Sequence, residues 1–170
     1  MLFVHECIHC FSPAKKIFCA HCSKDIALLE KKGFEEGLLL KRALFSRYSP
    51  LYSLYKEMEK GKLLCYVKAF AAYIFYAIEK DFFQLIFCRY PGFFSYLFRN
   101  GILYEISLEM ARYARFSVRF FSEKAASSLE GAVQGSVLYI EKVASMLTQK
   151  EKALLQEKKI FLLTLFDEEE

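Results

Sequence analysis

The segment Val137–Phe166 has the sequence VLYIEKVASMLTQKEKALLQEKKIFLLTLF. It opens with a continuous apolar run, Val137–Ile140, and closes with a second one, Ile160–Phe166. Continuous apolar runs of this length are typical of strands that are covered on both faces. Ser145–Lys158 between them is predicted to be helical. Strands that alternate with helices predict a parallel α/β sheet.

The rest of the chain extends this alternation. Further strands are predicted at three apolar runs: Leu38–Phe45, Phe82–Cys88 and Val118–Phe121. Helices are predicted at five segments: Ser23–Lys32, Leu51–Met58 with Gly61 as the breaker, Lys62–Glu79, Ile102–Phe116 and Ser122–Glu130. Because Lys62–Glu79 is apolar almost all round, we expect a buried helix there. Its clean apolar run, Ala69–Ile78, is too short to span a membrane.

Composition limits the functions that the chain can have. It has 170 residues, of which 55% are hydrophobic and 26% charged, and this is enough for one domain with a small appendage. All three histidines precede residue 22, and there is no phosphate-binding glycine motif. A catalytic triad in the body would need a histidine from the N-terminus. The body is therefore poorly equipped for chemistry.

The N-terminus carries the one specific chemical motif. Cys7 and Cys10 are followed, after eight residues, by Cys19 and Cys22. Two C-x-x-C pairs place four thiolates around one tetrahedral ion, which is the arrangement of structural zinc. His9 and His21 lie within the pairs and are alternative ligands. Disulfides or free core cysteines are the competing interpretations, and a reducing compartment disfavours the disulfides.

This motif divides the chain into a zinc-binding head, residues 1–33, and an α/β body, residues 34–170. No secretory signal precedes the cysteines, so we expect a cytoplasmic protein. Cys65 and Cys88 lie in apolar segments and are expected to be buried.

The charge distribution suggests one weak binding surface. The net charge is +4, which is far below that of a strongly cationic nucleic-acid binder. If the protein binds single-stranded DNA, the contacts are expected in the basic N-terminal half, with stacking on Tyr48 or Tyr52. The candidate cations are Lys15, Lys16, Lys24, Lys41, Arg42 and Arg47. The alternative is that these charges only solvate the head.

Several segments, taken in order, carry a family resemblance. They are the cysteine pairs, the tyrosine-led stretch Tyr48–Ile78 with Lys60-Gly61, Pro91 after a strand, Arg99-Asn100 before a helix, and Val137–Phe166. This order resembles the ComF family of competence-associated proteins. The resemblance implies a type I phosphoribosyltransferase-like sheet behind a four-cysteine zinc element. It also implies a phosphate-binding loop after the Val137–Ile140 strand.

The chain departs from the family at that loop. The family has two acidic residues there, followed by a Thr-Thr-Gly turn, whereas this chain has Glu141, Lys142, Ser145, Leu147 and Thr148 in the corresponding stretch. With Lys142 in place of the second acidic residue, one acceptor for the ribose hydroxyls is lost. Leu147 in place of glycine prevents the backbone from approaching a phosphate closely. The resemblance therefore implies a degenerate member with a vestigial loop.

The leading hypothesis is a non-catalytic ComF-like protein with one structural zinc. By resemblance it would act in DNA uptake or in handling single-stranded DNA. Its expected partners are single-stranded DNA or competence-machinery proteins, with no small-molecule substrate and no transmembrane segment. Two alternatives stay open: an active phosphoribosyltransferase with an unorthodox loop, and a zinc-stabilised protein-interaction module.

Overall fold

The N-terminal residues form a short hairpin followed by one helical turn. The computed structural model describes residues 5–26, 41–78, 84–90, 101–114, 117–127, 137–158 and 160–167. Strands β1 (His5–Glu6) and β2 (Pro13–Ala14) pair antiparallel. Helix α1 (Ala20–Lys24) follows. The predicted helix Ser23–Lys32 was therefore placed too late, because Cys19 rather than Ser23 caps it; residues 27–32 lie outside the described part of the chain.

The body is built on a five-stranded parallel sheet, which confirms the predicted α/β class. Its strands are β3 (Lys41–Phe45), β4 (Leu85–Cys88), β5 (Ser117–Phe120), β6 (Val137–Glu141) and β7 (Phe161–Phe166). They are arranged in the order β3-β7-β6-β4-β5. Strand β6 has all five residues buried, as its continuous apolar sequence predicts.

Helices cover both faces of this sheet. They are α2 (Pro50–Glu59), α3 (Val67–Ala77), α4 (Ile102–Ala114), α5 (Glu123–Ser127) and α6 (Gln149–Glu157). Helices α2, α3 and α4 pack with Leu138 and Ile140 on one face, while α5 and α6 pack with Tyr139 on the other. The alternation along β6 assigns its neighbouring side chains to opposite layers.

The head packs directly on the body. Cys7, Phe18 and Cys22 belong to the same buried cluster as Leu54 and Met58 of α2. The Nδ1 atom of His9 lies 2.9 Å from the Ser53 hydroxyl, also on α2. The head is therefore held against α2 by apolar packing and by a hydrogen bond. The predicted boundary at residue 33 lies outside the described residues.

Helix α3 differs from its prediction because one of its faces is open to solvent. Tyr73 and Tyr76 on that face are exposed, the latter by 69%. Cys65, in a 3-10 turn (Leu64–Tyr66) before the helix, is also exposed, so its predicted burial is wrong. An apolar composition indicates a buried helix but does not exclude a surface one. Among the described residues, no helix is long and apolar enough to cross a membrane.

Candidate metal centre and sheet-edge site

Two backbone turns bring the four cysteines together. In the first, the amide of Cys7 donates to the Ser12 carbonyl at 2.8 Å, and the amide of Phe11 donates to the Cys7 carbonyl at 2.9 Å. In the second, Cys19 caps α1, and its sulfur accepts from the amide of Cys22 at 3.4 Å. The hairpin therefore directs one cysteine pair, and the helix start directs the other.

The four sulfurs form a compact cluster. The Sγ atoms of Cys7, Cys10, Cys19 and Cys22 all lie within 4.8 Å of one another, and those of Cys10 and Cys19 are 3.6 Å apart. Tetrahedral zinc with four thiolates at about 2.3 Å requires sulfur separations of about 3.8 Å. All four cysteines are free rather than disulfide-bonded. The predicted ligand set is thus assembled in a geometry that can hold a metal ion.

The pKa values of the clustered thiols are shifted in both directions. Burial opposes ionisation of Cys7, but hydrogen bonds from the backbone of Cys10, Cys19 and His9 outweigh it and lower its pKa to about 6. Burial and the neighbouring thiols raise the pKa of Cys22. Adjacent thiolates repel one another, so a cation among the sulfurs favours release of the remaining protons.

The two histidines that lie within the cysteine pairs contact other groups. His9 bonds Ser53, as described above, and Nε2 of His21 lies 3.5 Å from Oδ2 of Asp25. The cluster of close metal-ligating atoms in the described residues contains neither histidine. Four thiolates complete a tetrahedral shell and leave no open position for a substrate.

A second polar site lies at the carboxyl edge of the sheet. Strand β4 continues through α4 to β5 on one side, and β6 continues through α6 to β7 on the other. The adjacent pair β4 and β6 is therefore the switch point of the sheet, where α/β proteins usually bind ligands. Arg89 follows β4 directly, and Glu141 ends β6.

At this switch point the charged side chains of the protein form ion pairs and hydrogen bonds with one another. Nε of Arg89 donates to Oε2 of Glu141 at 2.8 Å. The same oxygen accepts from the Tyr139 hydroxyl at 3.2 Å, and Oε1 accepts from the amide of Lys142 at 2.9 Å. Glu141 is only 2% exposed. Burial raises the pKa of Tyr139, and the Glu141 carboxylate raises it further.

The loop after β6 is hydrogen-bonded to Arg89 and to the capping residues at the start of α6. Nη2 of Arg89 donates to the Met146 carbonyl at 2.6 Å and lies 3.3 Å from Oε2 of Glu151. Both the amide and the hydroxyl of Thr148 donate to that same oxygen of Glu151, at 2.7 and 2.9 Å. Leu147 is buried in the core beneath, whereas Ser145 is exposed.

Lys142 is held on the other side of the edge. Its Nζ atom lies 2.8 Å from Oε2 and 2.9 Å from Oε1 of Glu59, at the end of α2. It also lies 5.2 Å from the centre of the Tyr55 ring and 5.8 Å from that of Tyr52. Each residue of the predicted vestigial loop with a charged side chain thus has an internal partner.

No protein-family model, curated protein or solved structure matches this chain.

The predicted nucleic-acid residues are placed in two regions. Lys15, Lys16 and Lys24 lie exposed on the head, with no ion pair to any of the described residues. Arg47 is exposed at the end of β3, and its amide donates to Oδ1 of Asp167 at 2.6 Å. Lys41 and Arg42 are in β3, but their side chains lie outside what the structure describes.

Sequence analysis missed Arg89 and Glu59. Arg89 stands directly after a predicted buried strand, and a charged residue at the carboxyl end of such a strand is a signal of a functional edge. Its partner Glu141 lies 52 residues away, so only the strand order could have paired them. Glu59 pairs with Lys142 over 83 residues for the same reason.

Proposed function

We propose that this is a non-catalytic, zinc-stabilised α/β protein that binds single-stranded DNA in the cytoplasm, in a role like that of ComF proteins in DNA uptake. The observation that carries the proposal is the contrast between the two sites. At the sheet edge, Arg89, Glu141 and Lys142 are neutralised by one another or by Glu59. On the head, three lysines face solvent without ion pairs among the described residues.

Zinc is the metal that best suits the head. Four thiolates in a tetrahedral arrangement favour zinc or an iron centre, and a closed four-cysteine shell is the usual structural zinc site. Zn²⁺ with four thiolates has a net charge of −2. Lys15, Lys16 and Lys24 partly offset this charge on the head. When bound, the ion would supply folding free energy rather than a reactive group.

The internal hydrogen bonds at the carboxyl edge of β4 and β6 support the proposal that the protein does not catalyse phosphoribosyl transfer. A 5′-phosphate needs free backbone amides at a helix N-terminus. Here the Thr148 amide is bonded to Glu151, and Arg89 is bonded to the Met146 carbonyl. The buried Leu147 side chain fills the position where the family has glycine.

The strand order supports the phosphoribosyltransferase-like part of the proposal. By the resemblance, the segment after β4 corresponds to the family's proline segment, and the loop after β6 corresponds to its phosphate-binding loop. In this sheet β4 and β6 are direct parallel neighbours, with Cys88 opposite Ile140, so the two segments leave the sheet side by side. Pro91, Arg99 and Asn100 of the resemblance lie outside the described residues.

Fluorescence anisotropy of a labelled single-stranded oligonucleotide tests the function. The variant replaces the three head lysines with Glu, which reverses their charge. A matched control replaces Lys68, Lys124 and Lys152, on α3, α5 and α6, with Glu. Each lysine that contacts a phosphate contributes about 0.7 to the slope of log affinity against log salt. We expect the head variant to lose about 2 from this slope, while the control changes it much less.

Two results would contradict the proposal. Absence of binding by the wild type at low salt would favour the protein-interaction module instead. Equal losses in the head variant and the control would mean that binding depends on net charge rather than on the head.

A further inference from the structure

Phe11 combines two features that are unfavourable for stability. Its backbone has φ of +60°, which is a left-handed conformation that L-residues with bulky side chains rarely adopt. Its side chain is 72% exposed, so it contributes little to the core. Glycine at this position would relieve the backbone strain at no loss of packing. Folding alone therefore gives no reason for a phenylalanine here.

Leu63 provides the comparison within the same chain. Its φ is +54°, close to that of Phe11. However, its side chain packs against the main hydrophobic cluster, which offsets the strain. Phe11 has no such packing among the described residues. The turn at the first cysteine pair accounts for the left-handed backbone of Phe11, but not for a bulky side chain on it. Strained residues of this kind cluster at functional sites, including those that hold ligands.

The head holds Phe11 in a fixed position. The amide of Phe11 donates to the Cys7 carbonyl at 2.9 Å, and the amide of Cys7 donates to the Ser12 carbonyl at 2.8 Å. Phe11 also follows Cys10 directly, and the sulfur of Cys10 lies in the candidate metal centre. The backbone that carries the ring is thus held in place, so binding of a ligand would have to order only the side chain.

We propose that Phe11 is a stacking residue for a base of single-stranded nucleic acid. This inference rests on the proposed function. Lys15 and Lys16 follow β2 of the same hairpin and are exposed. An aromatic ring and cationic side chains on one exposed hairpin form the combination that single-strand-binding proteins use, since the ring stacks on the base while the lysines bind phosphates.

The surroundings of Phe11 favour a base over an apolar protein surface. Cys10, Ser12 and Pro13 next to it are all exposed, and no described ring contacts Phe11. A protein interface needs an extended apolar centre of many residues. A single base needs only one ring face. Among the residues that the structure describes, Phe11 is an isolated ring, and it matches the smaller requirement.

The test compares Phe11→Gly, Phe11→Trp and Leu63→Gly in the metal-loaded protein. Affinity for a labelled single-stranded oligonucleotide is measured by anisotropy over a range of salt, and stability by the urea midpoint. We expect Phe11→Gly to weaken binding by at least about fivefold. Its salt slope should stay unchanged, because stacking releases no counterions. Its urea midpoint should be equal to or higher than that of the wild type.

The other two variants separate stacking from stability. Phe11→Trp should retain the affinity of the wild type. Leu63→Gly should lower the urea midpoint and leave the affinity intact. Wild-type affinity in Phe11→Gly would overturn this inference alone, as would a lower midpoint or failure to fold. A wild type that does not bind would overturn the proposed function, and the stacking role with it.

Discussion

Arg89 is the residue that connects most of the sheet edge. Through Glu141 it is joined to β6, through Met146 to the loop, and through Glu151 to α6. Partial burial alone would lower the pKa of Arg89, but the Glu141 carboxylate raises it, so the guanidinium keeps its charge at any ordinary pH. One guanidinium thus joins the end of β4 to β6, to the loop after β6 and to α6.

Removal of Arg89 should be costly, because it leaves the Glu141 carboxylate buried and without its cation. We expect Arg89→Ala to lower the free energy of unfolding by about 3 kcal/mol, as measured in urea. Arg112→Ala is the control, since the exposed Arg112 pairs with Glu109 within one helix, and it should cost less than about 1 kcal/mol. Equal effects of the two changes would contradict the structural role given to Arg89.

The cysteines show which features of single residues could be predicted from the sequence and which could not. The four cysteines could be predicted because their spacing is itself the signal. Burial of Cys88 was predicted and is confirmed, and this burial raises its pKa to about 12. Cys65 lies in an equally apolar segment, yet it is exposed. Local composition does not indicate which side of a helix or turn faces the core.

At the scale of single elements, breakers and caps determine the boundaries. Helix α2 ends next to Gly61, as predicted, because φ there is +76° and favours glycine. Helix α6 begins at Gln149 and not at the predicted Ser145. A 3-10 turn (Ala144–Met146) precedes it, and Thr148 forms a capping box with Glu151. The T-x-x-E pattern was present in the sequence and predicts this start.

The cap of α6 can be tested separately from the rest of the loop. Thr148→Ala removes the hydroxyl that accepts from the Glu151 amide at 3.2 Å. We expect a loss of about 1 kcal/mol in the free energy of unfolding. Thr148→Ser keeps the hydroxyl and should retain most of the stability. If the alanine and serine variants were equally stable, the cap would not be what starts the helix.

At the scale of the whole molecule, the strands of the sheet could be predicted from the sequence, whereas the contacts between charged residues could not. Strands β6 and β7 match their predicted ranges to within one residue, because burial on both faces leaves continuous apolar runs. The contacts of Arg89, Glu141, Glu59 and Lys142 depend on the order of strands in the sheet. That order is a property of the folded chain and has no local sequence signal.

The head and the body form one structure at this scale. Two of the four cysteines, Cys7 and Cys22, are buried in the same cluster as α2. A metal bound by them would therefore stabilise the contact between head and sheet as well as the head itself.

The metal content of the purified protein tests that centre most directly. Elemental analysis should find one zinc per chain in the wild type, and much less than one in Cys19→Ser. Cys65→Ser removes an exposed cysteine outside the cluster and should keep one zinc. A well-folded wild type without metal, or equal zinc in the wild type and Cys19→Ser, would contradict the account.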